Sequence, residues 1–192
     1  MRLNAPLTTE IEFEGSVYPL DLAFDNVLDV LDTISDKSLM AWEKVDLALN
    51  LLVGESNLTF EKQMELWELI LNRHIQIGSQ EKVIYDLEGN PMPTPKSSDD
   101  KKSMDLVQDA KYIYASFRQI GINLFEEQGK MHWEEFQAIL ESLPDDTILP
   151  KIVQIRNWSP SKGESEKEKE RMRELQAKYS LSKESREVDA DG

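Results

Sequence analysis

Apolar side chains recur at steps of three and four through most of the first 158 residues, and this rhythm constrains the fold most strongly, because it is the spacing of one face of an α-helix. Phe24, Val27, Leu28, Leu31 and Ile34 mark a short helix ending near Ser35-Asp36. Leu39, Trp42, Val45, Leu49 and Leu52 mark a second, with Ser38 placed to cap it and Gly54 to stop it. Phe60, Met64, Trp67, Leu71 and His74 mark a third that stops at Gly78, and its short connection to the second suits antiparallel neighbours. The clearest seam, Leu106, Ala110, Ile113, Phe117, Ile120 and Leu124, predicts a fourth helix, weakened at Gly121 by about 1 kcal/mol relative to alanine. Trp133, Phe136, Ala138, Ile139 and Leu140 predict a fifth from about His132 to Leu143, ended by Pro144-Asp145-Asp146. Thr147 can cap a sixth, carrying Ile148, Ile152 and Ile155, with Pro150 in a first turn where its missing N–H is no loss.

The ends and the middle depart from this rhythm. Residues 9–24 read as a β-hairpin: Thr9 to Phe13 alternates apolar with polar, Glu14-Gly15-Ser16 supplies the turn, and Val17 onward resumes the alternation, with Pro19 keeping its strand at an edge. Residues 79–103 read as a long loop, in which Val83-Ile84-Tyr85 could form a short strand and Pro91, Pro93, Pro95, Ser97 and Ser98 forbid regular structure. Beyond Ser159 core residues vanish, and 159–192 reads as a charged, partly helical or disordered stretch whose apolar content is Met172, Leu175, Tyr179 and Leu181 at helical spacing. The expected fold is therefore mainly α: one domain over 1–158, an N-terminal hairpin followed by a compact bundle of about five or six helices, and a flexible C-terminal stretch.

The charge bounds the partners. Of a net charge of -15, residues 1–158 contribute -14 from 28 acidic and 14 basic side chains. Such a body repels phosphate, so neither nucleic acid nor an anionic membrane is expected to bind it; a basic or apolar protein segment suits it better. Cysteine is absent, which removes a disulfide framework and thiolate chemistry, and no window reaches signal-peptide or transmembrane character, so a cytoplasmic protein is expected.

Sites for chemistry fail on spacing. The two histidines, His74 and His132, sit far apart with no HExxH arrangement, and a histidine at a helix start or core edge outweighs a metal ligand at each. Asp86, Glu88 and Asn90 open like a calcium loop, but Gly89 comes fourth rather than sixth and Ser97 stands where the closing glutamate belongs. Asp99-Asp100 and Asp145-Asp146 read as solvated turns, and no serine lies in a GxSxG or SxxK pattern. No catalytic residue, cofactor or metal is expected. Trp42, Trp67 and Trp133 read as core packing, whereas Trp158, where the core pattern stops, is a candidate for a binding patch together with Met172, Leu175, Tyr179 and Leu181.

Two stretches carry a resemblance. Asp109 through Phe117, including Tyr112 and Tyr114, is followed by Gly121-Ile122-Asn123-Leu124; then come His132-Trp133-Glu134-Glu135-Phe136, Leu143-Pro144-Asp145-Asp146-Thr147 and a closing Ile152-Val153-Gln154-Ile155-Arg156. The chain resembles the phage "gp fifteen" family of long-tailed phages and prophages of Gram-positive hosts, with Glu134 and Ile120 where that pattern has aromatics. The family's reading frame usually lies between the major tail protein and the tape measure, the place of tail assembly chaperones. The resemblance implies no catalytic residues and a structural role for the motif positions. It implies a non-enzymatic chaperone that binds the tape measure protein in the host cytoplasm, with the major tail protein and a second tail chaperone as further partners, self-association allowed, and absence from the mature virion. The rival readings are a tail-tube or completion protein retained in the virion, and a small phage enzyme or metal protein.

Overall fold

The computed structural model describes residues 3–75, 103–161 and 163–182. The expected stop at Gly78, residues 79–102 of the expected 79–103 loop with its short strand, and the end of the chain from 183 lie outside the described residues. Those described fall into two compact units, one drawn from 1–95 and 125–139, the other from 96–124 and 140–192.

The first unit opens with the hairpin, β1 (Glu10–Phe13) and β2 (Ser16–Pro19), paired antiparallel from Glu10↔Pro19 to Phe13↔Ser16. Its loop is the two residues Glu14 and Gly15, both at positive φ (52° and 75°), the backbone that matches the twist of paired strands. Ser16, read as part of the turn, belongs to the strand. Helix α1 (Phe24–Ser35) follows, burying Phe24, Val27 and Val30. The hairpin's exit is tied to α2 (Ala41–Val53): the Asp21 N–H donates to Leu52 O at 2.8 Å, and Asn26 Nδ2 donates to Asp21 O and Leu51 O.

In α2 the expected seam turns slightly. Val45, Ala48, Leu49, Leu52 and Val53 are buried, but Trp42 is 53% exposed and is not core. Trp42 lies in the first turn of the helix, N-terminal to all of these buried residues. Ser38 does not cap it, because its N–H and hydroxyl both donate to Asp36 Oδ1; the chain turns there, and the helix begins after Met40, whose N–H donates to Glu43 Oε2. The Asp36 carboxyl is held below its ordinary pKa by the Ser38 hydroxyl and then by the Ser38 N–H. Gly54, at φ 78°, stops the helix as expected. Helix α3 (Phe60–Ile70) buries Leu66, Trp67 and Ile70, leaves Phe60 half exposed, and continues into one π-helical turn, Leu71–Ile75. Lys62 of α3 reaches Glu14 of the hairpin at 2.6 Å.

The second unit contains α4 (Ala110–Gln119), the end of α5 (Trp133–Glu141), α6 (Ile148–Asn157) and α7 (Glu166–Tyr179). The fourth helix is shorter than its seam. Asp105 Oδ1 accepts the N–H groups of Val107 and Gln108, which holds Leu106 to Asp109 in a turn, and Gly121 at φ 90° ends the helix rather than sitting inside it. Ile113, Ser116 and Phe117 are the buried residues, while Ala110 and Ile120 face out. The start of α6 is capped from α4. Ile148 N–H donates to Gln119 Oε1 and Leu149 N–H to Ser116 Oγ, while the Thr147 hydroxyl turns back to Pro144 O. No helix among the described residues is long and apolar enough to cross a membrane.

Candidate functional site

The family-motif positions divide between the units. In the first, His132 and Trp133 fasten the 125–139 segment to the N-terminal part. Trp133 N–H donates to Leu22 O at 2.7 Å and its indole Nε1 to Ile75 O at 3.1 Å, and its ring stacks on Phe136, which stacks in turn on Phe24. His132 is buried, with Nε2 3.1 Å from Thr8 O and Nδ1 accepting the Glu134 N–H; those contacts put the ring proton on Nε2. His74 keeps Nδ1 buried with no hydrogen-bond partner among the described residues, and burial pushes its pKa below 6.5, against an opposing pull from Glu134. Among the described residues no three His, Asp or Glu side chains are grouped as metal ligands.

In the second unit the motif's two ends meet. Asp109, at the start of α4, and Arg156, in the last turn of α6, form a bidentate pair, Nη1 to Oδ2 at 2.6 Å and Nη2 to Oδ1 at 2.7 Å, with the Asp109 side chain 1% exposed. Both groups make further bonds: Asp109 Oδ2 also accepts the Asp105 N–H, and Arg156 donates to Ser103 O through Nη1 and to Tyr179 O through Nε. This pair therefore positions the C-terminal end of α7. Tyr112 meets Tyr179 edge to face at 6.1 Å, Tyr114 lies 3.5 Å from Asn123 Oδ1, and the Phe117 side chain is fully buried. Leu143 is buried, and Pro144 O takes both the hydroxyl and the N–H of Thr147. Asp146, an exposed residue, accepts Lys151 Nζ on its backbone oxygen.

The five candidate partner-binding residues fall on one structure. Helix α7 lies against α6, starting at Ser165, whose hydroxyl accepts the Glu168 N–H while Glu168 Oε2 accepts the Ser165 N–H. The Ser165 N–H and then the Ser165 hydroxyl, both donating to Oε2, hold the Glu168 carboxyl below its ordinary pKa. Gln176 Nε2 reaches Arg156 O and Trp158 O, at 3.1 and 2.7 Å, and Ser182 closes the end by donating to Gln108 Oε1. Met172, Leu175, Tyr179, Leu181 and Trp158 are each half-buried, and no residue of α7 is fully buried.

Trp158 and Met172 face a common open groove of about 490 Å³, completed by Ser161, Gly163, Glu164 and Glu168; Leu175, Tyr179 and Leu181 do not line it. The groove's acidic members and Gln176 were not singled out from sequence. The Ser165-x-x-Glu168 box was a readable signal for the helix start, but nothing local marks which carbonyls Gln176 reaches.

Comparison with curated proteins and with solved structures gives no match. A family model does match, the one described as Bacteriophage Gp15 protein, over residues 3–181 of the 192, a span that takes in both units and all five candidate binding positions. By that match the chain belongs to the bacteriophage Gp15 protein family.

Proposed function

We propose that this protein is a non-enzymatic tail assembly chaperone. It holds the tape measure protein, and with it components such as the major tail protein and a second tail chaperone, in the host cytoplasm, and it is absent from the finished virion. The observation that carries this reading is the seating of α7 on α6. A helix without one fully buried residue lies there, held by polar bonds to backbone carbonyls, beside an open groove in which Trp158 and Met172 present apolar surface.

A tape measure chain is long and largely helical, and its apolar stripes aggregate unless covered until the tail tube closes around them. Covering them reversibly needs an open, adaptable apolar surface rather than a deep pocket, and methionine and tryptophan suit that use. Like charge on the body, net -14 over residues 1–158, keeps loaded copies apart.

Co-expression with the neighbouring tape measure protein, followed by pull-down, tests the reading. The tape measure is expected to co-purify and to gain solubility. A tape measure equally insoluble with and without this protein overturns it. Mass spectrometry of purified virions is expected to find none of this chain; stoichiometric retention would make it a structural tail component instead.

A further inference from the structure

The groove beside α7 combines three kinds of group. Trp158, at the C-terminal cap of α6, offers an aromatic surface over which no cation lies among the described residues, although Tyr112 and Tyr179 each carry one, Lys111 at 4.7 Å and Lys178 at 5.2 Å. Met172 offers a flexible thioether. Glu164 and Glu168 offer carboxylates. Among the described residues, Glu168 uses Oε2 for the Ser165 cap and leaves Oε1 without a hydrogen bond, and Glu164 binds only the Ser161 hydroxyl and N–H. Ionised carboxylate oxygens accept more than one bond each, so both side chains retain capacity for a donor.

Apolar surface with carboxylates beside it matches a long cationic side chain, whose methylene stem covers hydrocarbon while its charge stays wet and paired. The geometry points to this groove as the place where the client's helix is read by its charge: it takes a lysine or arginine flanked by apolar side chains on an amphipathic segment, stem along Met172 and Trp158, cation toward Glu164 and Glu168. The inference rests on the chaperone reading for the source of that segment. Charge complementarity selects the occupant, since the groove carries two carboxylates, Glu164 and Glu168, with capacity for a cationic donor.

The test uses the full chain and a synthetic helical peptide of lysine and leucine, with two control peptides, one with glutamine for lysine and one with serine for leucine. Trp158 supplies the signal, and the chain carrying Trp158→Phe assigns it apart from the other three tryptophans. The lysine–leucine peptide is expected to bind and change Trp158 fluorescence, and both controls to bind at least about tenfold more weakly. The double variant Glu164→Gln, Glu168→Gln is expected to weaken the lysine–leucine peptide about tenfold, the loss of two exposed charge contacts together. Glutamine preserves the capping box, and circular dichroism checks that the variant folds. Undiminished binding by the double variant, or equal binding of the serine control, overturns the groove and leaves only the general acidity of the body. Co-expressing wild type and the double variant with the tape measure separates the readings: wild-type retention with an unimpaired double variant removes the groove alone, whereas no retention by wild type removes the chaperone.

Discussion

Asp109 and Arg156 show what a single residue decides here. A buried ion pair contributes little net stability when intact, because desolvation offsets the attraction, but removing one partner strands the other charge. Asp109→Asn is therefore expected to cost about 3–5 kcal/mol in urea unfolding. Arg156→Lys should also destabilise, since an ammonium cannot serve both oxygens of Asp109 and also reach Tyr179 O. A loss below about 1 kcal/mol for Asp109→Asn would show that the pair is not the tie it looks to be. His74 gives a second prediction. Burial holds it neutral, so as pH falls below 6.5 the unfolded chain binds the proton first. The stability this residue contributes is present above that value and is lost on the way down to its lowered folded pKa. Urea midpoints at pH 7.5 and at pH 5 should thus differ less in His74→Gln than in wild type; an identical difference would assign the acid sensitivity elsewhere.

Among the elements, α7 is held most lightly. It has one well-formed cap, polar bonds from Gln176 and Arg156, and only half-buried apolar residues. Ser165→Ala is expected to cost about 1 kcal/mol locally, read as faster amide exchange through α7 with exchange in α4 and α6 unchanged. Uniformly faster exchange would show that α7 unfolds only with its whole unit. In α4 the positive φ of Gly121 gives a contrasting result: Gly121→Ala should destabilise by about 1 kcal/mol, although alanine is the better helix former. Read as a helix interior, that glycine would predict the opposite sign. The existence of α1 to α6 was legible from apolar spacing, whereas α7 lies in a stretch that reads only as partly helical or disordered, and the helix ends were less legible still. Side chains set those ends, Asp36 and Asp105 by folding the preceding turn and Ser116 and Gln119 by capping α6 from another helix, and apolar periodicity carries no record of them.

At the scale of the whole molecule, charge governs behaviour in solution. A net charge of -15 opposes association of copies of the chain while its carboxylates are ionised, and salt screens that repulsion beyond about 10 Å at 0.1 M. Sedimentation at pH 7.5 should show association that rises with salt, and rises further as pH falls toward the carboxylate range near 4. Association that instead weakens with added salt would mean that opposite charges, not apolar surface, join the copies. The candidate site was partly readable at this scale. Trp158 and Met172 stood out because apolar residues are conspicuous where a core pattern has ended, and they do share a groove; Leu175, Tyr179 and Leu181 shared their spacing but lie outside it.

The amino-acid sequence alone determined the mainly helical architecture, the hairpin, the net negative charge and the family, since each is written in local spacing, composition or short motifs. Tertiary structure decided the partners: Asp109 with Arg156 across 47 positions, Gln176 with the carbonyls at the end of α6, and Trp158 beside Glu168. The reason is physical. Helical periodicity is imposed residue by residue along the chain, whereas the group a buried charge or amide finds depends on which helix faces pack, and that follows only from burying all the seams of a unit together.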